Sequence, residues 1–171
     1  VSLDSVHFPF DAAHYVGEIS VRVQNEHPEV MKKSGVNVEA SFILGGQIGL
    51  GEHEIYLIYP QGNYISTSDE TPYLQIGETK YGKPILDRIV TPQTSLEDAA
   101  RCALVSEDST MRSNISVGPP LELLIYRADS LGVDTRLLLK PQSPLYKKLQ
   151  KTWNEGLRHV FERLPRFDWE Q

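Results

Sequence analysis

Apolar residues recur at helical spacing at Ala12, Tyr15, Val16, Ile19 and Val23, which predicts an amphipathic helix over 11–23 with Asp11 as its N-cap, following Pro9. Beyond Pro28 and the Ser34-Gly35 pair the pattern changes to strand-like runs. The runs 38–48, 54–59 and 64–68 predict three strands, joined by Gly49-Leu50-Gly51-Glu52 and Pro60-Gln61-Gly62-Asn63, the turn chemistry of an antiparallel meander. Phe42 and Leu44 point away from Ile43, and Ile55 and Leu57 away from Tyr56 and Ile58. Strands apolar on both faces call for cover on both faces. Helical spacing returns at Ile85, Leu86, Ile89 and Val90, with Pro84 at the first helical position. Ser95-Leu96-Glu97-Asp98 reads as a capping box for a second helix, whose stripe is Leu96, Ala99, Ala100, Ala103 and Leu104. Gly118-Pro119-Pro120 interrupts the chain before a strand over 121–126. Ser143-Pro144 then opens a last helix carrying Leu145, Leu149, Trp153, Val160 and Phe161, which Pro165 ends. The stretch 129–143 reads as a mobile surface segment. The predicted order is helix, meander, two helices, strand, helix, with no repeat or linker.

Composition narrows the class. A length of 171 residues predicts a single domain over 1–171, and 40% hydrophobic against 23% charged residues excludes a disordered chain. The net charge of -6, without a basic stripe, argues against nucleic acid or anionic lipid as a partner. The single Cys102 excludes an internal disulfide and a multi-cysteine zinc site, and predicts a reducing compartment. Apolar runs are too short to span a bilayer and nothing resembles a signal peptide, so the expectation is a cytoplasmic protein with no membrane partner. The first residue is Val1 rather than Met, which predicts a processed product or a fragment.

Candidate chemistry concentrates in two loops. The five His form no HExxH, and His14 and His159 read as surface or packing residues, so neither a metal nor another cofactor is expected. The glycines Gly45, Gly46, Gly49 and Gly51 lack phosphate-loop spacing and read as a hairpin. The segment 75–84, with Gly77 and Gly82 ahead of a helix, offers amides that suit a carboxylate or a peptide carbonyl, and equally suits a capped strand-to-helix loop. The segment 108–120 reads as a second loop, dense in hydroxyls. Such hydroxyls serve either a reacting amine or water, or the turn backbone itself.

These two loops carry a family resemblance. Tyr73-Leu74-Gln75-Ile76-Gly77-Glu78-Thr79-Lys80-Tyr81-Gly82-Lys83-Pro84-Ile85-Leu86-Asp87-Arg88 closely resembles the Anbu family of bacterial proteasome-type peptidases. Ser109-Thr110-Met111-Arg112-Ser113-Asn114-Ile115-Ser116-Val117-Gly118-Pro119-Pro120 is similar to that family's second hallmark, and Glu54 to Gly62, with Ile58-Tyr59-Pro60, and the ending Trp153-Asn154-Glu155-Gly156-Leu157-Arg158 resemble the family too. The resemblance implies an α+β fold, the four-layer αββα sandwich of N-terminal-nucleophile hydrolases, of which this chain is the C-terminal part. It also implies a threonine peptidase that cleaves peptide or unfolded-protein substrate within a homo-oligomer. Gly77-Glu78 falls where proteasome subunits carry a Gly-Ser pair beside the nucleophile. Ser116 falls near a loop serine that supports the terminal amine, and Ser113 or Asn114 falls in the place of an acidic partner. The nucleophile, its Lys and the principal oxyanion amide have no counterpart from Val1 onward, since Val lacks a nucleophilic atom. The expected function is therefore a peptidase subunit whose nucleophile lies upstream, the alternative being a non-catalytic assembly subunit.

Overall fold

The computed structural model describes residues 2–26, 35 and 39–170. Helix α1 (Pro9–Glu26) begins two residues before the predicted cap, so Asp11 lies in its first turn, where a carboxylate still complements the helix dipole. Strands β1 (Phe42–Gly46), β2 (Glu54–Ile58) and β3 (Tyr64–Ser66) form an antiparallel three-stranded sheet in the order β1-β2-β3. The first predicted strand is shorter than 38–48, and its first residue, Val38, lies outside the described residues. Both glycine turns are hairpin connections, with Gly49 and Gly62 at φ of 57° and 86°.

Helix α1 covers one face of this sheet. Ala13, Tyr56 and Ile58 are buried together, Val16, Leu44 and Tyr64 pack around them, and the Tyr56 and Tyr64 rings meet edge to face. Burial pushes the Tyr56 phenol up to about 12, helped by the neighbouring Glu54 carboxylate. The other face is open: Ile43 is 37% and Ile65 46% exposed. The expected cover on both faces is therefore met on one face only within the described residues.

Helices α2 (Lys83–Ile89) and α3 (Leu96–Ser113) follow. Pro84 is the second residue of α2, because the Lys83 amide already donates to the Thr79 carbonyl at 3.0 Å. Ser95 caps α3 as predicted, accepting from the Asp98 amide at 3.1 Å. The expected loop over 108–120 is corrected, since α3 continues through Ser113. Its hydroxyls bond back along the helix, Ser109 to the Val105 carbonyl at 3.1 Å and Thr110 to the Ser106 carbonyl at 3.0 Å, so polar residues need no loop there.

Strand β4 (Leu121–Tyr126) pairs antiparallel with β5 (Val133–Leu139), with an irregularity between Ile125 and Tyr126. The second strand corrects the mobile segment expected over 129–143. Helix α4 (Pro144–Glu162) closes the chain's second core, in which Leu104, Leu139 and Tyr146 are buried with Leu121, Leu123 and Leu149 packed on them. Asp108, 2% exposed, ties α3 to α4: it accepts from Arg112 Nε at 3.0 Å, from Tyr146 Oη at 3.4 Å, and from Gln150 Nε2. The two sheets are joined through Gln47, whose Nε2 donates to Asp129 at 2.7 Å while its Oε1 accepts from Tyr126 Oη at 2.9 Å. Among the described residues no helix is long and apolar enough to cross a membrane.

The tightest approach on the first sheet is glycine on glycine. A Cβ at Gly17 would lie 2.2 Å from the Gly62 carbonyl oxygen, so only a hydrogen lets α1 reach the β2–β3 turn. Gly17→Ala gains about 1 kcal/mol in helix propensity but costs about 3 kcal/mol by overpacking against backbone, a net loss of about 2 kcal/mol. Urea unfolding checks this, and an unchanged or raised midpoint rejects the close contact.

Candidate active site

The site is built where the end of α3 meets the glycine loop ahead of α2. Asn114 is the C-cap of α3, its amide donating to the Thr110 carbonyl at 2.8 Å. Its side chain then works in two directions. Oδ1 accepts from the Ser116 amide at 2.9 Å and the Ser116 hydroxyl at 2.7 Å, closing a turn over the helix end. Nδ2 donates to Glu78 Oε2 at 3.1 Å, across 36 residues of sequence. Gly77 precedes this carboxylate at φ 82°, a left-handed conformation that only glycine adopts without strain, and a Cβ there meets nothing within 4 Å.

Of the residues expected from sequence, Glu78, Asn114 and Ser116 form one connected chain of hydrogen bonds, with Gly77 beside it. Ser113 is not joined to it: it is the exposed last residue of α3, and its side chain makes no hydrogen bond among the described residues. The link between Glu78 and Asn114 escaped sequence reasoning, since both were visible as loop residues and nothing in their spacing pairs them.

Two features behind the loop were also missed. Gln75 Oε1 is buried without a hydrogen-bond partner, and its Nε2 lies 3.1 Å from the Cβ position of Gly82. A cavity of about 370 Å³ opens beside it, lined by Tyr73, Gln75, Leu86, Ala103 and Glu107 among others. Burial pushes the Glu107 carboxyl up from its ordinary value. On the outer side of α2, Tyr73 Oη and Lys83 Nζ both bond to Asp87, which holds the Asp87 carboxyl below its usual range. Among the described residues no three His, Cys, Asp or Glu are grouped to hold a metal.

Chemically, the Ser116 hydroxyl spends its proton on Asn114 and keeps its lone pairs for a donor outside. Asn114 is neutral at every pH and can orient but not exchange a proton. Glu78 is the ionisable member of the chain.

Two antiparallel sheets, each with helices packed on one face, make this an α+β chain. No family model and no curated protein matches it. Solved structures do. Anbu, the ancestral beta-subunit, from Yersinia bercovieri is 40% identical with a TM-score of 0.88, covering 98% of this chain and 69% of its own. Anbu from Hyphomicrobium sp. strain MC1 is 38% identical at a TM-score of 0.86, covering 98% of this chain and 68% of its own. The Anbu complex from Pseudomonas aeruginosa, solved as a helical assembly, is 42% identical at a TM-score of 0.81, covering 98% of this chain and 69% of its own. The class is thus that of proteasome-like subunits. The chain belongs to the Anbu family.

Asn114→Asp would set a second carboxylate 3.1 Å from Glu78. Two like charges at that distance raise the pKa of the pair above the roughly 4 of free carboxylates, so the variant is close to wild-type stability below about pH 4 and loses stability as pH rises. Thermal unfolding from pH 3.5 to 8 tests this, and a deficit constant across that range would reject the contact.

Proposed function

We propose that the intact protein is a proteasome-type threonine peptidase subunit with the αββα sandwich of N-terminal-nucleophile hydrolases. It cleaves peptide bonds within a homo-oligomer in the cytoplasm. The single observation that carries the reading is the hydrogen-bond chain Glu78–Asn114–Ser116, which joins the two family-like loops in one place. In this reading the nucleophile, its lysine and the oxyanion amide belong to the part of the Anbu relatives that this chain does not span. The terminal Thr hydroxyl attacks the peptide carbonyl carbon, its own α-amine takes the proton, and backbone N–H groups hold the oxyanion. Collapse of the tetrahedral adduct expels the amine product with that proton, and water then releases the acid from the ester. Ser116 accepts from the amine as it becomes charged, Asn114 fixes the Ser116 hydroxyl, and Glu78 supplies a nearby negative charge.

The uncovered apolar face of the first sheet supports the layering, since Ile43 and Ile65 need a further layer against them, whereas Leu124 and Leu138 share the exposed face of the second sheet with the Arg136–Glu122 ion pair. A second reading, a non-catalytic assembly subunit, is favoured by Asn114, a neutral amide in the place of an acidic partner.

Two outcomes test the proposal. The 171-residue polypeptide alone turns over no fluorogenic peptide by this mechanism; activity that a terminal-threonine inhibitor blocks in this polypeptide would reject it. In the full-length protein, Ser116→Ala removes one hydrogen bond to a developing charge, worth about 1.5–3 kcal/mol. Turnover per folded particle then falls on the order of ten- to a hundredfold, with little change in melting temperature. An unchanged rate leaves Ser116 a turn residue, and a wild-type protein inert to both substrate and inhibitor favours the assembly subunit.

A further inference from the structure

Helix α4 is anchored over its first half, as far as half-buried Trp153 and Asn154. Tyr146 is buried and Leu149 packs on the second core, whereas every residue from 155 to 170 is exposed. Over that exposed length Leu157, Val160 and Phe161 fall at i, i+3 and i+4, an apolar stripe of the kind that other helices cover, and exposed Leu164 follows just past the helix end at Glu162. Just beyond the helix Phe167 and Trp169 stack at a ring-centroid distance of 4.5 Å, extending the patch. Phe161 is 72% and Trp169 78% exposed, values foreign to the large aromatics of a chain that stays alone.

Charge indicates what covers it. The chain as a whole carries -6, so two copies repel over most of their surface. The segment 155–170 is nearly balanced, with Arg158, Arg163 and Arg166 set among Glu155, Glu162, Asp168 and Glu170. A second copy therefore meets mixed charge around an apolar centre here, the composition of an interface with a charged rim. A relative 42% identical over 98% of this chain was solved as a helical assembly, so copies of such a fold do meet.

We propose that the distal half of α4 with the Phe167–Trp169 stack is a subunit contact, covered by a second copy of this chain. The proposal rests on the homo-oligomer reading above and assigns a surface to it. The test uses the full-length protein in sedimentation velocity over a concentration series, wild type beside Val160→Glu/Phe161→Glu. Both residues are exposed, so the variant keeps its fold, checked by circular dichroism. The expected result is an assembly that shifts to smaller species, its association weakened at least about tenfold. A folded variant that assembles like wild type overturns the surface while leaving the oligomer reading intact; a wild type that stays monomeric overturns both. Hydroxyl-radical footprinting of the unaltered protein keeps the question decidable if the variant misfolds. Phe161 and Trp169 are expected to lose labelling as the protein assembles, and equal labelling in dilute and assembled samples rejects the contact.

Discussion

The contact on which the candidate site depends is the approach of Gly82 to Ser106. A Cβ at residue 82 would lie 2.1 Å from the Ser106 hydroxyl and 3.1 Å from its carbonyl, so only glycine lets the start of α2 rest on the middle of α3. That approach fixes where the preceding loop runs. Gly77 and Glu78 reach the last turn of α3 because Gly82 is pinned two turns earlier along the same helix, and the Glu78–Asn114 bond locks the other end. The site is thus a by-product of helix packing, held by a close backbone contact at one end and one neutral amide at the other. Gln75 lies beside this contact, its amide nitrogen 3.1 Å from the same Cβ position, and its carbonyl oxygen is buried without a hydrogen-bond partner.

Helix α3 bears this load because its polar residues are satisfied from within and from α4. Asp108 is the clearest case, a buried carboxylate surrounded by the Arg112, Tyr146 and Gln150 donors. Burial and the adjacent Asp108 charge push the Tyr146 phenol up to about 12, so it remains a donor to that carboxylate throughout the neutral range. Removing one of these partners would leave a buried charge short of a donor, which costs more than the hydrogen bond gained on making it. This cluster, six residues before Asn114, ties the C-terminal part of α3 to α4 independently of the site itself.

Much of this was legible in the sequence, for local reasons. The helical stripes, the Ser95 cap, the Ser143-Pro144 start and the glycine hairpins depend on a few adjacent residues, and they recur in the structure within a few positions. Strand β5 was missed because Asp129, Ser130 and Gly132 look like loop chemistry, although Val133, Thr135 and Leu137 alternate with polar residues as an edge strand does. Residues 108–113 were read as loop because Ser, Thr and Asp normally disfavour helix interiors. The burial of Asp108 against α4 and the bonds of Ser109 and Thr110 to carbonyls four residues back reverse that preference, and neither is visible locally. The site followed the same division: its residue types stood out, while the pairing of Glu78 with Asn114 is a tertiary fact.

The exposed apolar surface falls into two kinds with different physical meaning. On the sheets, Ile43 and Ile65 sit on strands whose opposite faces are already well packed, and a flat apolar face of that sort matches another sheet about 10 Å away. On α4 the apolar residues run along a convex rod that projects past its own core, with balanced charge beside it, a shape that suits a helix groove or another rod rather than a sheet. In the reading proposed above, the first kind completes a fold and the second joins folded units, because a sheet face asks for a layer of matching flatness whereas a protruding helix end can be reached by a second copy.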